Sequence, residues 1–395
     1  MVNNYNLNLT VLTKELKLLL FLMKMENDEE VLLNNKRLFE DIDWGQFLQL
    51  ARHHRVHPIV YTALKGADKS WIPSSVVEAL RMDYQKSTFQ MLHLSGEMEQ
   101  LSKLFTEHKI QSMVLKGPIL SQDLYGDVSL RTSRDLDILI PIDDLDNAEA
   151  LLLKLGYDKL VEFSTILNDW RWRHHHITFI HPVKGVTVEI HWRLNPGPAK
   201  EPSFHELWER RRLSPLTSFP VYFLGKEDLF FYLASHGARH GWSRLRWLAD
   251  MDRIAKQKLD WGKINCLMQQ YKCLHVGGQT IILASQLLNT PIITEMKPLL
   301  AASNSMRLAQ DAIFYLKEMI NLHTIPVPQH VSDYHKRHLF SLMSFQNKIL
   351  FVMSFFYPYP EDAQTLPLPK AFHFLYFPLR PILWAWRKTR KYALP

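Results

Sequence analysis

The sequence predicts an α+β fold in which a small mixed sheet is flanked by helical regions. Segments towards both ends of the chain repeat apolar residues at helical spacing, whereas its middle carries short runs of β-branched and aliphatic residues. Such runs are typical of buried strands. We predict strands at residues 110–115, 136–140 and 186–192.

This alternation divides the chain into three regions. Residues 1–108 are predicted to form an N-terminal helical region that begins with an amphipathic helix around residues 18–23. Residues 109–195 carry the strands and form the core. Residues 196–395 are predicted to be helical again, with interruptions at prolines, and end in an aromatic-rich, basic tail.

The first predicted strand leads into a turn with the features of a phosphate-binding site. Lys116, Gly117 and Pro118 follow the strand, and a short helix is predicted around residues 119–124. Glycine lets the backbone approach an anion closely, and a helix start offers free N–H groups. Lys116 adds a point charge.

The second predicted strand carries two aspartates and is closed by Pro141. Asp135 and Asp137 are two residues apart, so their side chains point to the same face. At roughly 4 Å and an effective dielectric near 20, their carboxylates would repel each other by about 4 kcal/mol. A cation must offset this repulsion, and oxygen ligands suit Mg²⁺.

A helix is predicted next, over residues 145–155. Asp143 or Asp144 is expected to cap its start, and Gly156 to end it.

The third predicted strand places Glu189 on the same face as Thr187 and His191. Glu189 is therefore a candidate third carboxylate, and His191 could orient it or contact an acceptor. A solvated strand face is the alternative, in which case Asp123 or Asp127 would be the next candidates.

Together these motifs resemble the uncharacterised nucleotidyltransferases, a family with the polymerase-β-like fold. The resemblance extends over about residues 40–255. In one respect the chain differs, because Lys-Gly-Pro stands where many members of the superfamily carry Gly-Ser. Lys116 or Ser133 would then replace the missing serine. The motifs that carry the resemblance are Lys116-Gly117, Arg131 four residues before Asp135-x-Asp137, Glu189-x-His191-Trp192-Arg193, and flanking segments at 43–58 and 240–250.

The resemblance implies Mg²⁺-dependent transfer, with Mn²⁺ as the alternative ion, from a nucleoside triphosphate to a hydroxyl or phosphate of a small-molecule or peptide acceptor. Asp135, Asp137 and Glu189 would hold two metal ions, and Glu189 would also take the acceptor proton. Arg131 would stabilise charge in the transition state. The residues expected to contact the nucleotide are Lys116, Gly117, Ser133, His240 and Arg246.

The last two of these residues belong to a basic helical stretch that also contains His236, Arg239 and Arg244. It faces either the active cleft or solvent.

Two other roles stay open. One is transfer of a sugar or another group from an activated nucleotide onto a phosphorylated peptide or metabolite. The other is a non-catalytic nucleotide-binding scaffold. The resemblance also suggests tailoring of a natural product or polysaccharide.

Composition sets wider bounds. The net charge of +7 favours acidic partners such as nucleotides, but it is too small and dispersed to demand a long nucleic acid. No apolar stretch is long enough to span a bilayer, and a cytoplasmic location is expected.

Cys266 and Cys273 are interpreted as buried thiols on one side of a helix. His174, His175, His176 and His181 are interpreted as a solvated or phosphate-facing edge, because three consecutive strand residues cannot all face one ion.

Aromatic residues are frequent from residue 351 onwards, ahead of the basic run at 387–391. Packing in the core or at a domain interface is the favoured interpretation. A groove for a hydrophobic or peptide acceptor and a peripheral membrane contact are the alternatives.

Overall fold

The computed structural model describes residues 5–25, 29–65, 71–162, 165–322 and 326–392. A mixed sheet lies at its centre. The strands are β1 (Met113–Val114), β2 (Asp135–Leu139), β3 (Asp158–Lys159), β4 (His176–His181), β5 (Val186–His191), β6 (Arg212–Leu213) and β7 (Tyr222–Phe223). Their order in the sheet is β3-β4-β5-β2-β1-β7-β6. This mixed sheet confirms the predicted fold class.

Helices surround the sheet. They are α1 (Lys14–Lys24), α2 (Glu29–Asn34), α3 (Trp44–His53), α4 (His57–Leu64), α5 (Ser74–Glu107), α6 (Pro118–Tyr125), α7 (Leu145–Lys154), α8 (Trp170–Arg173), α9 (Phe204–Glu209), α10 (Lys226–Arg239), α11 (Leu245–Ala255), α12 (Trp261–Gln270), α13 (Leu274–Leu288), α14 (Lys297–Leu300), α15 (Ser305–Lys317), α16 (Gln329–Leu342), α17 (Phe345–Ser354), α18 (Pro360–Thr365) and α19 (Tyr376–Tyr392). In the described parts of the chain, no helix is long and apolar enough to cross a membrane.

Alternation along β2 and β5 separates an apolar face from a polar one. Leu136 and Ile138 of β2 and Val188 and Ile190 of β5 are buried in one apolar core beneath the sheet. Residues between them must point to the opposite face. The parallel pairing of the two strands places Asp137 directly beside Glu189 on that face.

The predicted strands are present, but the first is shorter than expected. Of residues 110–115, only Met113 and Val114 form β1. The backbone N–H of Leu115 still donates to the carbonyl of Asp137, at 2.8 Å. Pairing ends there because the chain turns at Gly117, whose φ of +94° lies in the region that favours glycine.

The helix begins at Leu145 as predicted, but the predicted cap by Asp143 or Asp144 is wrong. Asp144 is the residue before α7, but neither its side chain nor that of Asp143 caps the helix. Both residues lie in a 3-10 turn, and Asp144 has a φ of −93° and a ψ of 0° rather than the extended conformation of a capping residue. Gly156, at a φ of +88°, ends the helix as predicted.

The helices before and after the sheet share one apolar core. Leu18 and Leu19 of α1 are buried in it together with Phe230 of α10 and Ile282 of α13. Helices from distant parts of the sequence thus support the sheet jointly. The division of the chain at residues 108 and 195 stays a prediction.

Two expectations about the C-terminal half need correction. Cys266 is exposed on α12, and that helix ends before Cys273, so the two thiols do not share one helix. Burial raises the pKa of Cys273 to about 12. The prediction that the aromatic rings of the tail pack in the core is wrong for many of them, because α17 and α19 lie at the surface. Exposed rings include Phe355, Phe356, Phe372, Phe374, Phe377, Trp384 and Trp386.

Candidate active site

Asp137 lies at the centre of the polar face of the sheet. It is only 1% exposed. Its Oδ1 lies 3.1 Å from the Lys116 ammonium and 3.2 Å from Nε2 of His191. The same His191 nitrogen lies 3.2 Å from Oε2 of Glu189. Among the described residues, the other oxygen of Asp137, Oδ2, has no hydrogen-bond partner although it is buried.

The charges around Asp137 are set by this pairing. Burial raises the pKa of its carboxyl, but Lys116 and His191 outweigh burial and hold that pKa well below its usual range. Conversely, burial lowers the pKa of the Lys116 ammonium, and Asp137 with other nearby groups raises it above its ordinary value. Asp137 is therefore a carboxylate and Lys116 a cation at neutral pH.

Asp135 and Ser133 stand beside this pair. Burial and the neighbouring Asp137 raise the pKa of Asp135. The Ser133 hydroxyl donates to the Asp135 carbonyl at 3.1 Å and to its Oδ1 at 3.3 Å. Ser133 therefore contacts Asp135 and lies in the wall of the cavity.

A polar cavity of about 560 Å³ opens above Asp135 and Glu189. Its wall is rich in cationic side chains from four parts of the chain, which makes it suitable for a polyanion. The cationic residues in the wall are Arg52, Arg55, Lys116, Arg131, Arg134, Arg239, Arg244 and Arg246.

Arg131 lies in the wall but is held by another carboxylate. Its Nε and Nη2 donate to Asp250 at 2.9 and 3.0 Å, and Tyr125 donates to the same carboxylate at 2.9 Å. Its Nη1 is buried without a hydrogen-bond partner in the described part of the chain. Arg131 can thus present one nitrogen to the site.

The basic helical stretch faces the cavity rather than solvent. Arg246 lines it and donates from Nη1 to the carbonyl of Thr132. His240 also lines it and packs against Trp247, with ring centroids 5.2 Å apart. Among the described lining residues Gly117 is absent. Gly117 is instead needed for the turn. Its φ lies in the left-handed region, which residues with a Cβ rarely adopt, and a Cβ at this position would also lie 3.4 Å from Leu136.

Sequence analysis interpreted the histidines at 174–176 as a solvated or phosphate-facing edge, but it did not place any of them beside His191. His175 and His176 line the cavity, and His176 pairs with His191 across β4 and β5. Nitrogens of these three rings lie within 4.8 Å of one another. Burial lowers the pKa of His176 to about 4. The turn at Pro182–Gly185 between two apolar runs indicates a hairpin, and its register would have placed His176 beside His191.

Asp123 and Asp127, the reserve candidates, lie elsewhere. Both oxygens of Asp123 accept hydrogen bonds from Arg212, and Asp127 accepts from the backbone N–H of Ser129.

A divalent metal ion fits the donors around Asp137. Asp137, Glu189 and His191 each offer a ligand atom, and these atoms lie within 4.8 Å of one another. The buried, unpartnered Oδ2 of Asp137 is an oxygen that such an ion would satisfy. Asp135 lies outside the two potential ligand groups found among the described residues. Two carboxylates suit Mg²⁺ or Mn²⁺.

Comparisons with known proteins show which family the chain belongs to. Among solved structures the chain is similar to MenT4, a nucleotidyltransferase toxin of Mycobacterium tuberculosis, at 15% identity and a TM-score of 0.28, with 75% of this chain and 98% of that chain covered. No protein of curated function matches the sequence. Residues 40–289 match the family of uncharacterised nucleotidyltransferases. Because that match spans more than half of the chain, the protein belongs to this nucleotidyltransferase family.

Proposed function

We propose that the protein transfers a nucleotidyl group from a nucleoside triphosphate to a small-molecule or peptide acceptor in a metal-dependent reaction. The observation that carries the proposal is the buried carboxylate of Asp137, with one oxygen free, beside Glu189 and beneath a cationic cavity. Family membership supports the same reaction class. The family resemblance further suggests an acceptor from natural-product or polysaccharide biosynthesis, and a cytoplasmic enzyme.

The cationic wall suits a triphosphate. Burial lowers the pKa of the Arg246 guanidinium, and the nearby Arg131 and Arg55 lower it further. Burial, Arg55 and Arg134 similarly lower the pKa of Arg244 to about 10. These cations repel each other in a partly desolvated space. A polyanion would relieve the repulsion, so binding of phosphate groups is favoured there.

The proposed reaction begins when a hydroxyl oxygen of the acceptor attacks the α-phosphorus of the nucleotide. The bond between that phosphorus and the bridging oxygen to the β-phosphate breaks, and pyrophosphate leaves. The hydroxyl proton passes to Glu189, which is half-buried at the cavity. Arg131 Nη1 and Lys116 would stabilise negative charge on the phosphate oxygens.

A bound Mg²⁺ or Mn²⁺ would neutralise phosphate charge and polarise the reacting oxygens. Asp137, Glu189 and His191 would hold it, because each offers a ligand atom within 4.8 Å of the others, whereas Asp135 lies outside this group. Because Lys116 keeps Asp137 ionised, the carboxylate is ready for a cation without first losing a proton.

The test is Asp137→Asn, with Asp143→Asn as the matched control. Asp143 carries an exposed carboxylate that pairs with Arg171 and is not among the described residues that line the cavity. We expect ATP, GTP, CTP or UTP with Mg²⁺ to raise the melting temperature of the wild type and the control, but not of Asp137→Asn. Pyrophosphate release should likewise be lost only in Asp137→Asn. Equal stabilisation and equal turnover in all three proteins would contradict the metal assignment. A wild type that binds nucleotide but releases no pyrophosphate with any acceptor would be a binding protein.

A further inference from the structure

A second cavity, of about 720 Å³, lies next to the polar one. It is enclosed by α10, α13, α16, α17 and residues 195–201. The wall is largely apolar, with Phe231, Val276, Leu339 and Phe351 contributed by the four helices in turn. Its volume lies within the roughly 300–1,000 Å³ typical of small-molecule sites, which are mostly apolar.

The two cavities meet at the end of α10. Arg239 and His240 line both of them. A molecule with its body in the apolar cavity can therefore place one end beside the cations of the polar cavity. Neither cavity alone combines an apolar body site with the carboxylates Asp135 and Glu189.

Arg239 is the cation at this junction. Within the described part of the chain, its Nε is buried without a hydrogen-bond partner and its guanidinium takes part in no ion pair. A partly buried guanidinium without a paired anion is costly, and an anionic ligand would offset that cost. Lys116 and Arg131, which line the same polar cavity, have protein carboxylates as partners.

We propose that the apolar cavity binds the body of the acceptor, and that the acceptor is an amphiphile whose anionic group contacts Arg239. The inference rests on the proposed function, because it takes the polar cavity as the nucleotide site. An apolar body held by α10, α13, α16 and α17 would direct the polar end of the molecule towards Glu189. This restricts the substrate class to molecules with a hydrophobic part and an anionic group, rather than sugars or strongly polar peptides.

Binding can be tested without knowing the natural acceptor. The probe is octyl phosphate, with octyltrimethylammonium, 1-octanol and inorganic phosphate as controls, measured by calorimetry on the full chain. Ser332→Trp places a large ring in the cavity from α16, whereas His330→Trp adds the same ring at an exposed position of that helix. Arg239→Gln removes the charge.

We expect octyl phosphate to bind the wild type and His330→Trp equally, and to bind Ser332→Trp at least about tenfold more weakly. Arg239→Gln should weaken octyl phosphate about tenfold and leave 1-octanol unchanged. Stabilisation by Mg²⁺ and nucleotide should be the same in wild type and Ser332→Trp, which shows that the variant is folded.

Equal affinity of octyl phosphate for wild type and Ser332→Trp would overturn the proposal, as would tighter binding of octyltrimethylammonium than of octyl phosphate. Failure of the proposed function looks different. In that case octyl phosphate binds as expected but no nucleotide causes pyrophosphate release. Conversely, nucleotidyl transfer that Ser332→Trp leaves unchanged would keep the function and remove the amphiphilic acceptor.

Discussion

Two buried aspartates, Asp137 and Asp250, differ in how many of their carboxylate oxygens accept a hydrogen bond. Asp250 is fully buried and both of its oxygens accept hydrogen bonds, from Arg131 and Tyr125. Asp137 is buried to the same degree, but only Oδ1 has a hydrogen-bond partner among the described residues. The cation beside Asp250 is 1% exposed, whereas Lys116 beside Asp137 is 13% exposed and lines the cavity.

This difference indicates which carboxylate is available for a ligand. A saturated carboxylate with a bidentate arginine holds two elements together, here the segment before β2 and helix α11. A buried carboxylate oxygen without a partner is costly to folding unless something binds it. We therefore propose a structural role for Asp250 and a ligand-binding role for Asp137.

The largest effect is expected from Asp250→Asn. It leaves the buried guanidinium of Arg131 without a compensating charge, which should lower the free energy of unfolding by about 3–5 kcal/mol. Asp137→Asn should cost less, because Asp135 and Glu189 also stabilise the Lys116 cation, which lines the cavity. Urea denaturation of the two variants measures the difference. Equal destabilisation would remove the distinction between the two aspartates, and the double variant Arg131→Met/Asp250→Leu should recover part of the loss.

Glu189→Gln should separate binding from chemistry. If Glu189 takes the acceptor proton, its loss should slow turnover by about 10²–10⁴-fold. Nucleotide affinity should change less than in Asp137→Asn, because Asp137 and His191 would still hold the metal ion and the cationic wall still contacts the phosphates. Single-turnover rates and dissociation constants for the same nucleotide give both quantities. Thr187→Val, on the same face of β5, is the control. A turnover rate that stays at the wild-type value would exclude Glu189 as the base.

Arg246→Ala should weaken nucleotide binding by about 1–3 kcal/mol if the guanidinium makes a charge-assisted hydrogen bond to phosphate. Lys258→Ala, an exposed cation just after α11, should leave the dissociation constant unchanged. Titration of each variant with the nucleotide that stabilises the wild type makes the comparison. If Arg246→Ala and the wild type have the same dissociation constant for nucleotide, the main role of Arg246 is its hydrogen bond to the carbonyl of Thr132.

Local periodicity predicted three strands, which correspond to β1, β2 and β5, and the polar faces that carry their carboxylates, but not that β2 and β5 are neighbours. The period of two along β2 and β5 puts Asp135, Asp137 and Glu189 on one face, and the register of these strands brings Asp137 beside Glu189. Strands of two residues, such as β3 and β6, are too short to leave a periodic signal. They depend on the neighbouring strands for their pairing.

The partners of the cations could not be predicted in the same way. Arg131 and Asp250 are 119 positions apart, and Lys116 and His236 are 120 apart. Such contacts depend on how α10 and α11 pack over the sheet, which no local pattern specifies. The catalytic roles of four residues stay predictions until the variants are measured: Asp135, Asp137, Glu189 and Arg131.

The smallest expected effect is the change in stability between pH 7 and 5.5. Asp137 stays ionised over this range, because its pKa lies well below its usual value, so this change reports on other groups. Burial lowers the pKa of His57 from its ordinary 6.5 to about 4. Between these two values the unfolded chain binds a proton at His57 and the folded chain does not, so stability is retained above pH 6.5 and lost as pH falls towards 4. From pH 7 to 5.5 this residue should contribute about 1 kcal/mol of the loss.

His57→Gln should therefore lose about that much less stability than the wild type, as measured by urea denaturation at the two pH values. His330→Gln, an exposed histidine, should follow the wild type. Parallel pH dependence in all three proteins would mean that His57 is protonated in the folded state, and that the acid sensitivity has its origin in other buried histidines such as His54, whose pKa burial also lowers well below its ordinary value.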